Sequence, residues 1–290
     1  MADKTEFYRR LKTENGSSVM GLLKVLCWNY RDIFAKHELD LGLCSELENL
    51  IQLTDNVPVY KKQFPIPLAN MNILKQHVEE MLARGLIERS RSVYNSPVFV
   101  VPKKSGKHRI VIDLRAINAK TRKDFYSIKD IRQCLEKAGE AQGDTFTTID
   151  LQKGFWQQPL AKESRQFCSF TVPGVGSFQP TVSPMGGQTS PAAFSALTDR
   201  VVGNISGVTV YIDDILISTK GQWDHLDKLR EVFDQLRSFN LKISLDKSEF
   251  LGKSVKFLGY QVDKHGFKPA QDKLEAVRDT LPPTTVKAIR

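Results

Sequence analysis

Hydrophobic positions along the chain switch repeatedly between a helical period and a strand period, and the switches mark its elements. Val19, Leu22, Leu23, Leu26, Tyr30 and Ile33 recur at helical spacing. Residues 56–67 (NVPVYKKQFPIP) then read as an extended, proline-punctuated strap. A helix is predicted near 70–84, with Met71, Leu74, Val78 and Met81 on one face and Gly85 as its C′ residue. Strand-like runs at 97–101 and 108–114 flank Lys103-Lys104-Ser105-Gly106-Lys107, a hairpin with a basic tip. Ile128, Ile131 and Leu135 predict a short helix, and 145–150 a strand that ends in a carboxylate. Strands at 166–172 and 178–182 precede a helix at about 190–202. Over 208–218 two β-branched runs lie either side of Asp213-Asp214, a hairpin with both acids at its turn. Leu226, Leu229, Phe233, Leu236 and Phe239 form one stripe of a long amphipathic helix capped by Asn240, and strands are expected at 241–245 and 255–262. This order, without an internal repeat, predicts an α+β fold.

Composition narrows the class. The 290 residues are 41% hydrophobic and 26% charged, so a disordered chain and a collagen-like repeat are excluded. Forty-two Lys and Arg against 33 Asp and Glu leave a net charge of +9, which favours a polyanionic partner, nucleic acid before a membrane surface. Cys27, Cys44, Cys134 and Cys168 have neither zinc-knuckle spacing nor the density of a disulfide framework, so a reducing compartment is expected. No apolar run is long enough to span a bilayer and the first residues lack a signal-peptide core. The expectation is a cytoplasmic protein, with access to the nucleus and no membrane partner.

Candidate chemistry rests on carboxylates. Asp150 closes the run TFTTID, and Asp213 closes VTVYID 63 residues later, followed at once by Asp214. Either acid alone reads as a turn residue or a helix cap. If the two strands are neighbours in one sheet, the acids converge, and their repulsion calls for cations between them. Two Mg²⁺ ions about 3.5 to 4 Å apart are the usual arrangement for in-line attack on phosphorus. Lys103, Lys104, Lys107 and Arg109 put four cations within seven residues, either a triphosphate clamp or a solvated hairpin tip.

Taken together these segments resemble a known family. Tyr211-Ile212-Asp213-Asp214 resembles the Y-x-D-D box of reverse transcriptases, and 148–155 (TIDLQKGF) their first metal-binding box. SPVFVVPKKSGKHRIVIDLRAIN (96–118) resembles the fingers hairpin. Ser183-Pro184-Met185-Gly186-Gly187, running to Ser190-Pro191-Ala192-Ala193-Phe194, is similar to the segment that contacts template and nucleotide. Phe257-Leu258-Gly259-Tyr260 is similar to the primer grip. Order and spacing agree over about 57–288, and Ile66-Pro67, Gly85-Leu86-Ile87 and Phe257-Leu258-Gly259 are most similar to gypsy-type long-terminal-repeat retrotransposons.

The resemblance implies a right-hand polymerase. Fingers and palm would occupy 57–262, 1–56 would be an N-terminal extension, and 263–290 would be the start of a truncated thumb or connection, with 281–288 (LPPTTVKA) at its entry. No ribonuclease H, integrase or protease segment is expected. It further implies that Asp150 and Asp213 bridge two Mg²⁺ ions (Mn²⁺ as a substitute), with Asp214 as third carboxylate and Lys247 as general acid to the pyrophosphate. Arg109 with Lys103 or Lys104 would hold the triphosphate, and Phe155 would lie under the sugar as a steric gate favouring deoxynucleotides. Met185, Pro184, Gly186, Ser190 and Pro191 would contact nucleotide and template, and Phe257, Leu258, Gly259 and Tyr260 the primer. Met185 stands where the family usually has Gln or Phe, and Gly187 where it has a bulkier residue. Methionine packs against a base or sugar but cannot reproduce a Gln hydrogen bond. The implied partners are an RNA or DNA template with primer and deoxynucleoside triphosphates. A catalytically idle nucleic-acid-binding remnant of a retroelement polyprotein is the alternative, opposed by the intact carboxylates and favoured by the short thumb. An RNA polymerase of the same architecture is opposed by Phe155.

Overall fold

The computed structural model describes residues 3–13, 18–102, 106, 108–123, 126–140 and 142–278. Lys103, Lys104, Lys107 and the thumb-like segment 281–288 lie outside the described residues.

Helix α1 (Lys4–Arg10) begins where Asp3 accepts a hydrogen bond from the Thr5 amide at 2.9 Å. A two-residue strand β1 (Lys12–Thr13) leads to α2 (Met20–Asn29), which buries Leu23, Leu26 and Cys27 while Leu22 stays exposed. Tyr30 and Ile33 therefore belong to the turn after the helix. The 56–67 strap carries no regular element and runs into α3 (Leu68–Ala83), whose inner face is Leu74, Val78 and Met81. Gly85, at φ +68°, closes α3 as predicted, with the Leu86 amide returning to Met81 O at 2.9 Å.

Strands β2 (Ile87–Arg89), β3 (Val98–Pro102) and β4 (His108–Ile112) follow, then a single turn α4 (Arg115–Asn118) and α5 (Ile131–Glu140). Ile128 lies ahead of α5 rather than in it. Next come β5 (Thr145–Asp150), the short α6 (Lys162–Arg165), β6 (Phe170–Val172) and β7 (Gly176–Pro180). The strand expected from 166 thus opens as a helical turn, Gln166–Cys168. Helix α7 (Ser190–Val202) has Pro191 in its first turn, where the missing N–H costs nothing. Strands β8 (Val208–Tyr211) and β9 (Asp214–Thr219) form the predicted hairpin, and α8 (Gln222–Ser238) ends at Asn240, φ +52°, with the Leu241 amide on Leu236 O at 2.8 Å.

Strands β10 (Glu249–Gly252), β11 (Ser254–Phe257), β12 (Tyr260–Asp263) and β13 (Gly266–Pro269) precede α9 (Gln271–Arg278). Two expectations fail here. Residues 241–244 form no ladder strand and Leu245 already opens a helical turn; Ile243 makes only isolated bridges to Phe34 and Leu151. The run 255–262 is two strands, because Leu258 and Gly259 both turn left-handed (φ +52° and +77°) and reverse the chain between Phe257 and Tyr260.

The main sheet has the order β1-β10-β5-β9-β8. Its central strands read as nearly continuous apolar runs because both faces are covered. Ile149, Ile215 and Ile217 face α2, α7 and α8, packing with Phe194, Leu229 and Phe233. Phe146 and Leu216 point the other way, onto α5 and the β11–β12 hairpin through Leu135, Phe257 and Val262. Phe7, Leu23, Leu26 and Phe34 of the N-terminal segment belong to the first of these cores. A second lobe joins α3 to the sheet β2-β7-β6 through Leu74, Val78, Phe170 and Phe178, with the β3–β4 hairpin packed beside it. No helix among the described residues is long and apolar enough to cross a membrane.

Candidate active site

Antiparallel pairing of β5 with β9 sets Asp150 directly opposite Asp214. The β8–β9 turn is Ile212-Asp213, so only Asp213 of the two acids lies in the turn, and Asp214 already belongs to β9. This corrects the expectation that both sit at the tip. Ile212 has φ +56°, a left-handed conformation that a β-branched residue adopts at a cost of about 1–3 kcal/mol. Two hydrogen bonds hold it there: Thr198 Oγ1 donates to Ile212 O at 2.8 Å, and the Leu151 amide donates to Asp213 O at 3.3 Å. Gly154 closes the turn from below. A Cβ at Gly154 would stand 2.9 Å from both Asp213 Cβ and Phe194 Cε1, so only glycine lets the chain after Asp150 pass so close.

Asp150 is gripped by the segment 244–248. Its amide donates to Ser248 Oγ at 3.2 Å, its carbonyl accepts from the Ser244 amide at 2.8 Å, and Ser248 Oγ donates back to Ser244 O at 2.8 Å. Lys247 Nζ reaches both Asp150 oxygens, at 3.2 and 3.3 Å, while the side chain of Lys247 stays 65% exposed. Burial pushes all three carboxyls above their usual range. For Asp214 the charges of Asp213 and Asp150 add to burial and carry it to about 6, against the opposing pull of Lys247.

Such a cluster is chemically suited to a hard divalent cation, which would relieve the repulsion. Among the described residues no three His, Cys, Asp or Glu side chains already form a compact cage.

Other predicted positions fall around this centre. Phe257 and Leu258 line a cavity of about 80 Å³ together with Asp150, Asp214 and Lys247, so the β11–β12 turn abuts the carboxylates. Phe257 is itself buried in the core, and Leu258, Gly259 and Tyr260 are half-buried. Phe155 is half-buried and meets Phe194 edge-on, ring centroids 5.7 Å apart. Met185 is 43% exposed and shares an apolar cleft with Pro184, Trp156, Ile110 and Ile112, which places β4 beside the 184–187 segment. Arg109, on that strand, is exposed, as is Gly186. Ser190 is fully buried and donates to Pro184 O at 2.8 Å; it supports the segment from beneath rather than facing a template, and Pro191 is half-buried beside it.

Several residues of the site carried no signal in the sequence. Ser244 acts through its backbone amide and carbonyl, and Ser248 through its hydroxyl. Asn118 fastens the 184–188 segment, with Nδ2 donating to Gly186 O at 2.8 Å and Oδ1 accepting from the Gln188 amide at 3.0 Å. Only the position of Asn118 at the end of the fingers-like motif pointed towards it.

Comparison with known proteins gives a consistent result. The family described as "Reverse transcriptase (RNA-dependent DNA polymerase)" matches residues 101–262. The retrovirus-related Pol polyprotein from transposon 297 of Drosophila melanogaster is 36% identical over 275 residues, 92% of this chain and 26% of that protein. The corresponding polyprotein from transposon gypsy of the same organism is 34% identical over 248 residues, 83% of this chain and 24% of that protein. This chain thus spans about a quarter of the length of these relatives. A solved structure of the foamy viral protease-reverse transcriptase in complex with RNA/DNA hybrid superposes with a TM-score of 0.83 at 27% identity, covering 99% of this chain and 38% of that one. The helices and sheets described above are arranged as in the fingers and palm of that enzyme.

Proposed function

The chain belongs to the reverse transcriptase (RNA-dependent DNA polymerase) family, and from that premise we propose that it extends a primer 3′-hydroxyl with deoxynucleoside triphosphates on an RNA or DNA template. The observation that carries this reading is the meeting of Asp150, Asp213 and Asp214 at one end of the central strands, with Lys247 on Asp150. Asp150 and Asp213, with Asp214 as third carboxylate, would hold two Mg²⁺ or Mn²⁺ ions, whose chemistry when bound is to activate the attacking hydroxyl and neutralise the leaving pyrophosphate.

The remaining roles are those that the resemblance of the motifs to the family implies. Lys247 is an ammonium at the rim of the carboxylates and supplies a proton to the leaving group. Arg109, with Lys103 or Lys104, holds the triphosphate from the β3–β4 hairpin, a guanidinium being the better bidentate donor. Phe155 lies under the sugar and excludes a 2′-hydroxyl. The segment from Pro184 to Pro191, supported from beneath by Ser190, bears on template and nucleotide, with Met185 as an apolar contact, and the turn Leu258 to Tyr260, backed by the buried Phe257, bears on the primer. Affinity for the duplex comes mainly from phosphate contacts, in keeping with the +9 charge. The RNA/DNA hybrid bound by the solved relative supports an RNA template.

Primer extension on an RNA template tests this, comparing the wild type with Asp213→Asn. Extension that needs Mg²⁺ and is lost in the variant is expected. Equal extension by the two proteins, or none by the wild type, removes the reading.

A further inference from the structure

The segment that carries Lys247 is itself held by the N-terminus of the chain. Leu245–Lys247 is one turn of 3-10 helix, in which successive side chains point about 120° apart. Leu245 is buried, Asp246 turns outward to α1, and Lys247 turns to Asp150. At Asp246 the Arg10 guanidinium closes a two-pronged pair: Nε donates to Oδ1 at 2.8 Å and Nη2 to Oδ2 at 2.9 Å. Three residues further on, β1 pairs in parallel with β10, Lys12 beside Glu249 and Thr13 beside Phe250. The N-terminal segment therefore holds both the 244–248 turn and the strand that leaves it.

Arg10 is not loosely placed. Its helix is fixed by Phe7, buried in the main core with its ring 5.4 Å from that of Phe34 and 5.7 Å from that of Trp28. An exposed ion pair by itself contributes little to stability. A forked guanidinium–carboxylate contact nevertheless fixes direction, because both N–H bonds must align with both oxygens at once. On a 3-10 turn, fixing the direction of Asp246 fixes that of Lys247.

We propose that Arg10 is a positioning residue: through Asp246 it orients the 245–247 turn so that the Lys247 ammonium meets Asp150. This rests on the polymerase reading above for its consequence in catalysis, but the contact itself does not.

The test uses the whole 290-residue chain and single-nucleotide incorporation into a template-primer. Arg10→Ala should lower the maximal rate about ten- to a hundred-fold, the loss expected from a misplaced group. The nucleotide KM and the template-primer Kd should stay within about two-fold. In a Lys247→Ala background Arg10→Ala should cost nothing more, because the two act through one contact. The exchanged pair Arg10→Asp with Asp246→Arg should recover most of the rate. A rate unchanged by Arg10→Ala, or a loss that multiplies with that of Lys247→Ala, overturns the proposal. Should Arg10→Ala fail to fold, Asp246→Asn carries the same expectations. A wild type that cannot extend a primer defeats the polymerase reading instead, and the contact is then decided by amide hydrogen exchange. Faster exchange at Lys247 and Ser248 in Arg10→Ala, with β5 unchanged, supports it, and unaltered exchange overturns it.

Discussion

Asp150 and Asp214 are register partners on adjacent antiparallel strands, so the shape of the sheet itself, and not a flexible loop, sets the separation of the two carboxylates. Replacing Asp150 or Asp213 by Asn keeps the side-chain volume and removes one charge. Either change is expected to abolish nucleotide addition while leaving template-primer affinity within a few-fold, since binding rests on the basic surface. Single-turnover extension and a fluorescence binding titration measure the two quantities on the same samples.

Burial of the carboxylates at this centre, with their mutual repulsion, destabilises the fold. The folded-state pKa of Asp214, about 6, lies above its ordinary value of 3.8, so the folded state is penalised as pH rises from about 4 through about 6 and carries the full penalty above that. Asp214→Asn should therefore raise stability at pH 7.5 in chelator by about 1–2 kcal/mol, seen as a melting temperature higher by a few degrees. At pH 4 the gain should vanish. Added Mg²⁺ or Mn²⁺ should stabilise the wild type more than the variant, which differential scanning fluorimetry reads directly.

Gly154 and Phe155 separate packing from chemistry. Gly154→Ala drives a methyl into Asp213 Cβ and the Phe194 ring, and should cut the extension rate by more than ten-fold while costing about 1–3 kcal/mol of stability. Phe155→Val, by contrast, should raise ribonucleotide incorporation relative to deoxynucleotide. If Phe155 is only a partner of Phe194, truncation lowers the melting temperature and leaves sugar preference unchanged.

His225 gives an acid limit to the fold. It is buried on α8 between Thr147 Oγ1 and Thr219 Oγ1, each 2.7 Å from a ring nitrogen, and so bridges β5 and β9 behind the carboxylates. Burial pushes its pKa from 6.5 down to about 4, with Asp144 opposing. The unfolded chain takes up a proton below about pH 6.5 and the folded chain does not, so this contribution falls away between 6.5 and 4 and is flat below. The loss should approach about 3 kcal/mol. Urea unfolding at pH 7 and pH 5 should show a smaller difference in His225→Gln than in the wild type.

The parts of the molecule that could be read in advance are those where one period dominates. The α3 and α8 stripes and the β8–β9 hairpin have their apolar residues and their cap residues, Gly85 and Asn240, in agreement. The family assignment rested on the boxes around Asp150 and Asp213, and the matched span 101–262 includes both. What escaped was set by contacts distant in sequence. Residues 255–262 look like one apolar strand, and nothing local shows that Leu258 takes a left-handed turn. Residues 241–245 have strand composition, but their neighbours, Phe34 and Leu151, offer single bridges and no ladder. Ser248 and Arg10 are ordinary polar residues until the fold brings them to Asp150 and Asp246.

The two-residue strand β1 also has a protective consequence. It covers the outer side of β10, which would otherwise present open backbone N–H and C=O groups at the rim of a hydrophobic sheet. A fragment starting at residue 57 would keep every motif of the polymerase yet expose that rim together with the surface now covered by Phe7, Leu23 and Phe34. Such a fragment should self-associate by edge-to-edge pairing, more so as its concentration rises. The first 56 residues thus matter for solubility before they matter for activity.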